Sequence, residues 1–135
     1  MAVRAVFDAN LLISGLVCAG GPGRCLDAVE AGHVECVSCA AILGDVADKL
    51  AVRFHHGEQQ VADELAWLVQ HTNIVEPPGA IHGVCRDPDD DVVLECAVMS
   101  NAAFLVTGDT DLLVLKQYQY VRILTPDEFL ATALT

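Results

Sequence analysis

Four aspartates fall within five positions at Asp87-Pro88-Asp89-Asp90-Asp91. Two further acids stand at the margins of apolar runs, Asp8 directly after residues 3–7 and Asp109 just after residues 102–107, and a third, Asp45, lies inside an apolar-periodic stretch. Two aspartates suffice to cap a helix and complement its dipole, at roughly 0.3–1 kcal/mol each, so four exceed what a helix start requires. If Asp8, Asp45, Asp90 and Asp109 converge, each pair at roughly 4–5 Å repels by about 3–4 kcal/mol at an effective dielectric near 20. Such a pocket must take up protons or cations. Mg²⁺ or Mn²⁺ is the natural occupant, being hard, oxygen-seeking and content to keep waters, and such an ion equips a site for phosphodiester hydrolysis.

The surrounding pattern supplies elements that would gather these acids. Residues 3–7 form a short apolar run without helical spacing, a buried strand that delivers Asp8 to its C-terminal end. Ligands of open parallel α/β sheets bind beyond those ends. A helix over 11–16 follows, capped by Asp8 or Asn10. After the Gly20-Gly21-Pro22-Gly23 break come a helix over 24–31, a strand over 34–37 and a helix over 40–54 that carries Asp45 and Asp48. Residues 59–71 form an amphipathic helix with Trp67 at its edge, and 73–75 a third strand. The acidic stretch opens a helix from Asp90 to Met99, with Asp90 or Asp91 as cap and Pro88 in the turn before it. A strand over 102–107 leads to Asp109, a short helix follows over 112–115, and the fifth strand is 120–124. Thr125-Pro126-Asp127-Glu128 reads as a capping box with Pro near N1 of the last helix. Strands alternating with helices predict a five-stranded, mostly parallel sheet with helices on both faces, and the 135 residues make one domain, 1–135.

Composition limits the partners. With 19 acids against 7 Lys+Arg and a net charge of −12, no broad basic surface is available for nucleic acid. A phosphate-bearing substrate would need a metal to bridge it, and the charge suits a basic protein partner. No apolar run approaches the ~18 residues of a membrane span. An acid at Asp8 comes too early for a signal peptide, which places the protein in the cytoplasm, not a membrane. The six cysteines are then reduced core residues; Cys36 and Cys39 lack the second pair that a zinc site requires. A mean hydropathy of +0.43 with few aromatics leaves aliphatic surface for an interface.

At this point the motifs resemble a known family, the PIN-domain ribonucleases, and in particular the toxins of toxin–antitoxin systems. Val6-Phe7-Asp8-Ala9-Asn10 is similar to the first acidic motif and Ile42-Leu43-Gly44-Asp45 to the second. Arg86-Asp87-Pro88-Asp89-Asp90 with Ala97 is similar to the third, and Val106-Thr107-Gly108-Asp109-Thr110-Asp111 to the fourth. The resemblance implies a three-layer α/β/α sandwich and an endoribonuclease site holding Mg²⁺ or Mn²⁺. Asp8, Asp45, Asp90 and Asp109 would be its catalytic acids, with Asp8, Asp90, Asp109 and Asp111 as metal ligands, and Asn10, Thr107 and Asp87 in support. It further implies an RNA substrate, a cognate antitoxin and a homodimer. One departure stands out: the second motif usually carries Glu where this chain has Asp45, behind Gly44, so a non-catalytic PIN-fold binding module is the competing reading. A haloacid-dehalogenase phosphatase would need a second acid where Asn10 stands, and a response-regulator receiver would need paired acids after the first strand.

Overall fold

The computed structural model describes residues 2–134. In chain order the elements are β1 (Val3–Phe7), α1 (Ala9–Val17), α2 (Gly21–Glu30), β2 (Val34–Cys39), α3 (Ala40–Arg53), α4 (Glu58–His71), β3 (Thr72–Val75), α5 (Pro88–Met99), β4 (Phe104–Val106), α6 (Thr110–Leu113), β5 (Gln117–Tyr118), β6 (Val121–Leu124) and α7 (Pro126–Ala133). The sheet runs β3-β2-β1-β4-β6-β5. Neighbours pair in parallel except β5, which is antiparallel to β6. Helices cover both faces, as the alternating pattern predicted.

Six strands stand where five were expected. The extra one, β5, is two residues long, and two residues carry no periodicity that a sequence pattern can register. It folds back on β6 through a turn with Gln119 at φ 51°. The central strands are buried, with Ala5, Val6, Phe7, Leu105 and Val106 fully shielded. Phe129 of α7 clamps this core edge-on against Phe7, at 5.7 Å between ring centres, and against Phe104, at 5.5 Å, the geometry that aromatic quadrupoles favour. All six cysteines are free; Cys25, Cys36, Cys39 and Cys96 are buried in the same core as expected, whereas Cys18 is exposed and Cys85 half-buried, so those two are not the core residues the sequence suggested.

Helix starts decide where the acids point. α1 is capped by Asp8, whose Oδ1 accepts the Leu11 N–H at 2.9 Å. α5 begins at Pro88, two residues earlier than expected, and its cap is Asp87 instead of Asp90 or Asp91. The reason is Pro88: it has no N–H to leave unsatisfied and its φ is already helical, so it sits at N1 and not in a preceding turn. Asp87 Oδ1 then accepts from the Asp89 N–H at 2.9 Å, and Asp89, Asp90 and Asp91 all lie in the first turn. α6 is capped by Asp109, which accepts from the Asp111 N–H at 2.9 Å. The closing capping box, Thr125 with Glu128, forms as predicted, with bonds of 3.2 and 2.9 Å.

Candidate active site

Asp8, Asp87 and Asp109 therefore share one local design. Each spends a carboxylate oxygen on a helix N-terminus, where the dipole favours its charge. Asp8 and Asp109 also follow the C-terminal ends of adjacent strands, β1 and β4.

Thr107, fully buried between them, ties the two together. Its hydroxyl donates to Asp8 Oδ2 and accepts the Asp109 N–H at 2.9 Å. Asp8 is 6% exposed. Burial pushes its carboxyl above the ordinary range; the bonds from Thr107 and Leu11 oppose this, Asp109 adds to it and Lys49 opposes it. Asp90, reaching in from α5, is pushed up to about 7 by burial, then by the charge of Asp109 and a hydrogen bond to it, then by Asp87 and Asp8. Asp90 and Asp109 thus crowd one another at the cleft, and protonation of Asp90 or a bound cation would relieve the repulsion.

These side chains open on a cleft of about 620 Å³. Of the residues predicted from sequence, Asp8, Asn10, Asp45, Asp87, Asp90 and Asp109 line it. Thr107 sits beneath it as a buried support. Asp111 is not in the lining; its carboxylate faces Arg86 at 3.9 Å. Asp45 lies at the exposed side, 3.1 Å from Lys49 Nζ. Asp48, Lys49 and Asp89 also line the cleft and were not singled out as site residues. Lys49 had a legible signal, since it follows Asp45 at i+4 on one helix face.

A second group had none. Asp91 and Glu95, each 4% exposed, face away from the cleft and fasten the loop 76–87. Asp91 accepts the N–H groups of Gly83 and Cys85 at 3.0 and 2.8 Å. Glu95 accepts those of Gly79 and Ile81, both at 2.8 Å. Gly79 and Gly83 take φ of 82° and 68° there, where a Cβ would be strained.

Among the described residues no three His, Cys, Asp or Glu side chains stand ready-gathered at metal-holding distance. The donor set still fits a hard dication. Mg²⁺ takes one or two carboxylates and fills the rest of its shell with water, and the repulsion that raises Asp90 beside Asp109, Asp87 and Asp8 is of the kind a cation relieves.

Comparison with known proteins places this arrangement. Residues 4–111 match the sequence profile described as PIN domain. Over 95% of this chain and 90% of the relative, the sequence is 26% identical to the uncharacterized protein MJ1680 of Methanocaldococcus jannaschii. The fold is similar to a chain in the crystal structure of VapBC2 from Rickettsia felis bound to a DNA fragment from their promoter: TM-score 0.66, 12% identity, 90% of this chain and 97% of that one. It is also similar to the PIN domain of RRP44 from T. brucei: TM-score 0.54, 14% identity, covering 99% and 82%.

Proposed function

The chain belongs to the PIN-domain family, and from that premise we propose that it is a metal-dependent endoribonuclease, the toxin of a toxin–antitoxin pair. The observation that carries the reading is the Asp90–Asp109 pair, crowded enough to raise Asp90 to about 7 at the mouth of a cleft lined by further acids. Structural support alone does not call for carboxyls that repel.

In this reading Asp8, Asp90 and Asp109 hold Mg²⁺ or Mn²⁺. The ion supplies Lewis-acid stabilisation for hydrolysis of a phosphodiester. Thr107 fixes the rotamer of Asp8 and the start of α6 at once, so two ligands keep their spacing. Asp87 shapes the α5 start that brings Asp90 in. Asp45 and Asp111 stand at the margins.

The partner reading rests on surface chemistry. Val52, Phe54, Val69 and Ile74 are large apolar residues left exposed, which suits a homodimer contact or an antitoxin segment, and the fold is shared with a chain of a VapBC2 complex. Among the described residues no helix is long and apolar enough to cross a membrane, in keeping with a cytoplasmic site of action.

Cleavage of single-stranded RNA by the purified protein with Mn²⁺, and its loss in EDTA, tests the activity. Asp109→Asn should lower the rate by at least ~10²–10³, the scale of removing one preorganised electrostatic group, with an unchanged far-ultraviolet spectrum. No cleavage in any divalent metal would favour the binding-module reading, to which an exposed Asp45 engaged with Lys49 is already suited.

A further inference from the structure

Among the described residues, a polyanion entering this cleft meets seven aspartates and one basic side chain, Lys49. Lys49 rises from the third turn of α3, with its side chain 24% exposed. Its Nζ lies 3.1 Å from Asn10 Oδ1 and 3.1 Å from Asp45 Oδ2. An ammonium has three N–H donors; these two acceptors engage two and leave a third for a ligand. Its charge also reaches Asp8 on the cleft floor.

We propose that Lys49 is the phosphate-contacting residue of this cleft, donating to a nonbridging oxygen of a phosphodiester, and that Asp45 and Asn10 position its ammonium. The inference rests on the nuclease reading and adds a residue that binds the substrate directly. A lysine is a compact point charge suited to a single phosphate oxygen. Held from α1 by Asn10 and from its own helix by Asp45, it cannot swing freely to neutralise whichever acid is nearest. Asp45, one methylene shorter than glutamate, is fully matched to this task at i,i+4, so the departure at the second acidic position becomes a lysine mount.

The test is the salt dependence of KM for an RNA oligonucleotide with Mn²⁺, comparing the parent with Lys49→Met, Lys49→Arg and Asp45→Asn. A DNA oligonucleotide of the same sequence is run as competitor. Lys49→Met should raise KM about ten- to a hundredfold, the loss of one charge-assisted hydrogen bond, and flatten the slope of log KM against log salt by about 0.7, one phosphate contact on a single strand. Lys49→Arg should restore the slope, while Asp45→Asn should raise KM less and leave the slope in place. Equal weakening toward RNA and DNA assigns the contact to phosphate; weakening toward RNA alone would place Lys49 on the 2′-hydroxyl and overturn the assignment. Parent-like KM and slope in Lys49→Met would sink the proposal and leave the nuclease standing, whereas a parent inert toward RNA in Mn²⁺ would remove both. Melting temperatures certify folding, and Lys49→Arg keeps the test decisive if Lys49→Met is unstable.

Discussion

Asp90 and Asp91 are consecutive residues in the first turn of α5, yet their carboxyls behave in opposite ways. Asp90 is pushed up to about 7 by burial and by Asp109, Asp87 and Asp8. Asp91 is the more buried of the two at 4% exposure. Burial pushes it up as well, but the Cys85 N–H and thiol and the Gly83 N–H outweigh it and hold it below the usual carboxylate range. One turn on, Glu95 repeats the pattern, its carboxyl held down by Ile81 first, against burial, with Gly79 adding to it. What separates the two faces of one helix is therefore the company of the carboxylate, donors on one side and acids on the other. The donor-rich face anchors a loop, and the acid-rich face favours a proton or a cation.

The largest expected effect comes from breaking the anchoring face. Asp91→Ala leaves the Gly83 and Cys85 N–H groups without their acceptor and should cost about 2–4 kcal/mol of unfolding free energy. Denaturant titration measures it, and hydrogen exchange should accelerate at Gly83 and Cys85 first. Asp91→Asn, which keeps one acceptor oxygen, should fall between. If Asp91→Ala unfolded at the parent's midpoint, the carboxylate would not be holding the loop, and the contrast with Asp90 would lose one of its sides.

The two faces were not equally legible in the sequence. Asp8, Asp90 and Asp109 were identified because they sit at the junctions of apolar runs, where strand ends and helix starts can be read from local pattern. Their meeting in one cleft follows from parallel topology. Asp91 and Glu95 escaped because their partners are backbone N–H groups in an irregular loop, up to sixteen residues away in sequence. No side-chain pattern encodes those; from local pattern Asp91 reads only as a cap candidate. The misplaced cap has the same origin: with four acids available, only the position of Pro88 selects Asp87, and a turn at Pro88 would start the helix two residues later. Gln117–Tyr118 was out of reach because a two-residue strand exists only through its pairing with β6. Lys49 was legible in principle, because it stands at i+4 from Asp45 on one helix face.

A smaller effect tests the acid-rich face. Because the folded-state value of Asp90 lies above the ordinary 3.8, the folded protein keeps a proton that the unfolded chain gives up. Its contribution to stability is fully present below about 4, declines as pH rises and is gone above about 7. A rise of that size corresponds to about 4 kcal/mol at 1.36 kcal/mol per pH unit. Asp90 is partly open to water, and screening reduces the realised effect to roughly 1–2 kcal/mol. In EDTA the melting temperature should fall between pH 5 and pH 8, and Mn²⁺ should restore it at pH 8 far more than at pH 5. Asp90→Asn should flatten both responses. A metal-free protein as stable at pH 8 as at pH 5 would mean that these acids do not share a pocket.

The smallest effect separates the two tasks of Asp87, which caps α5 through the Asp89 N–H and also adds charge beside Asp90. Serine caps a helix about as well as aspartate, so Asp87→Ser should leave the melting temperature at pH 5 within a degree or two while removing the charge. Burial and Asp109 outrank Asp87 among the causes of the Asp90 shift. The midpoint of the pH-dependent stability loss should therefore move down by less than about one pH unit, and by less than Asp109→Asn moves it. Asp87→Ala removes the same charge and also the cap, and should be less stable than Asp87→Ser by about 1 kcal/mol at every pH. Carboxyl carbon NMR of Asp90 in the three proteins reads the charge effect without the stability effect. If Asp87→Ser shifted Asp90 as far as Asp109→Asn does, Asp87 would be an equal member of the metal-seeking cluster, and the line between capping and site acids would have to be redrawn one residue before Pro88.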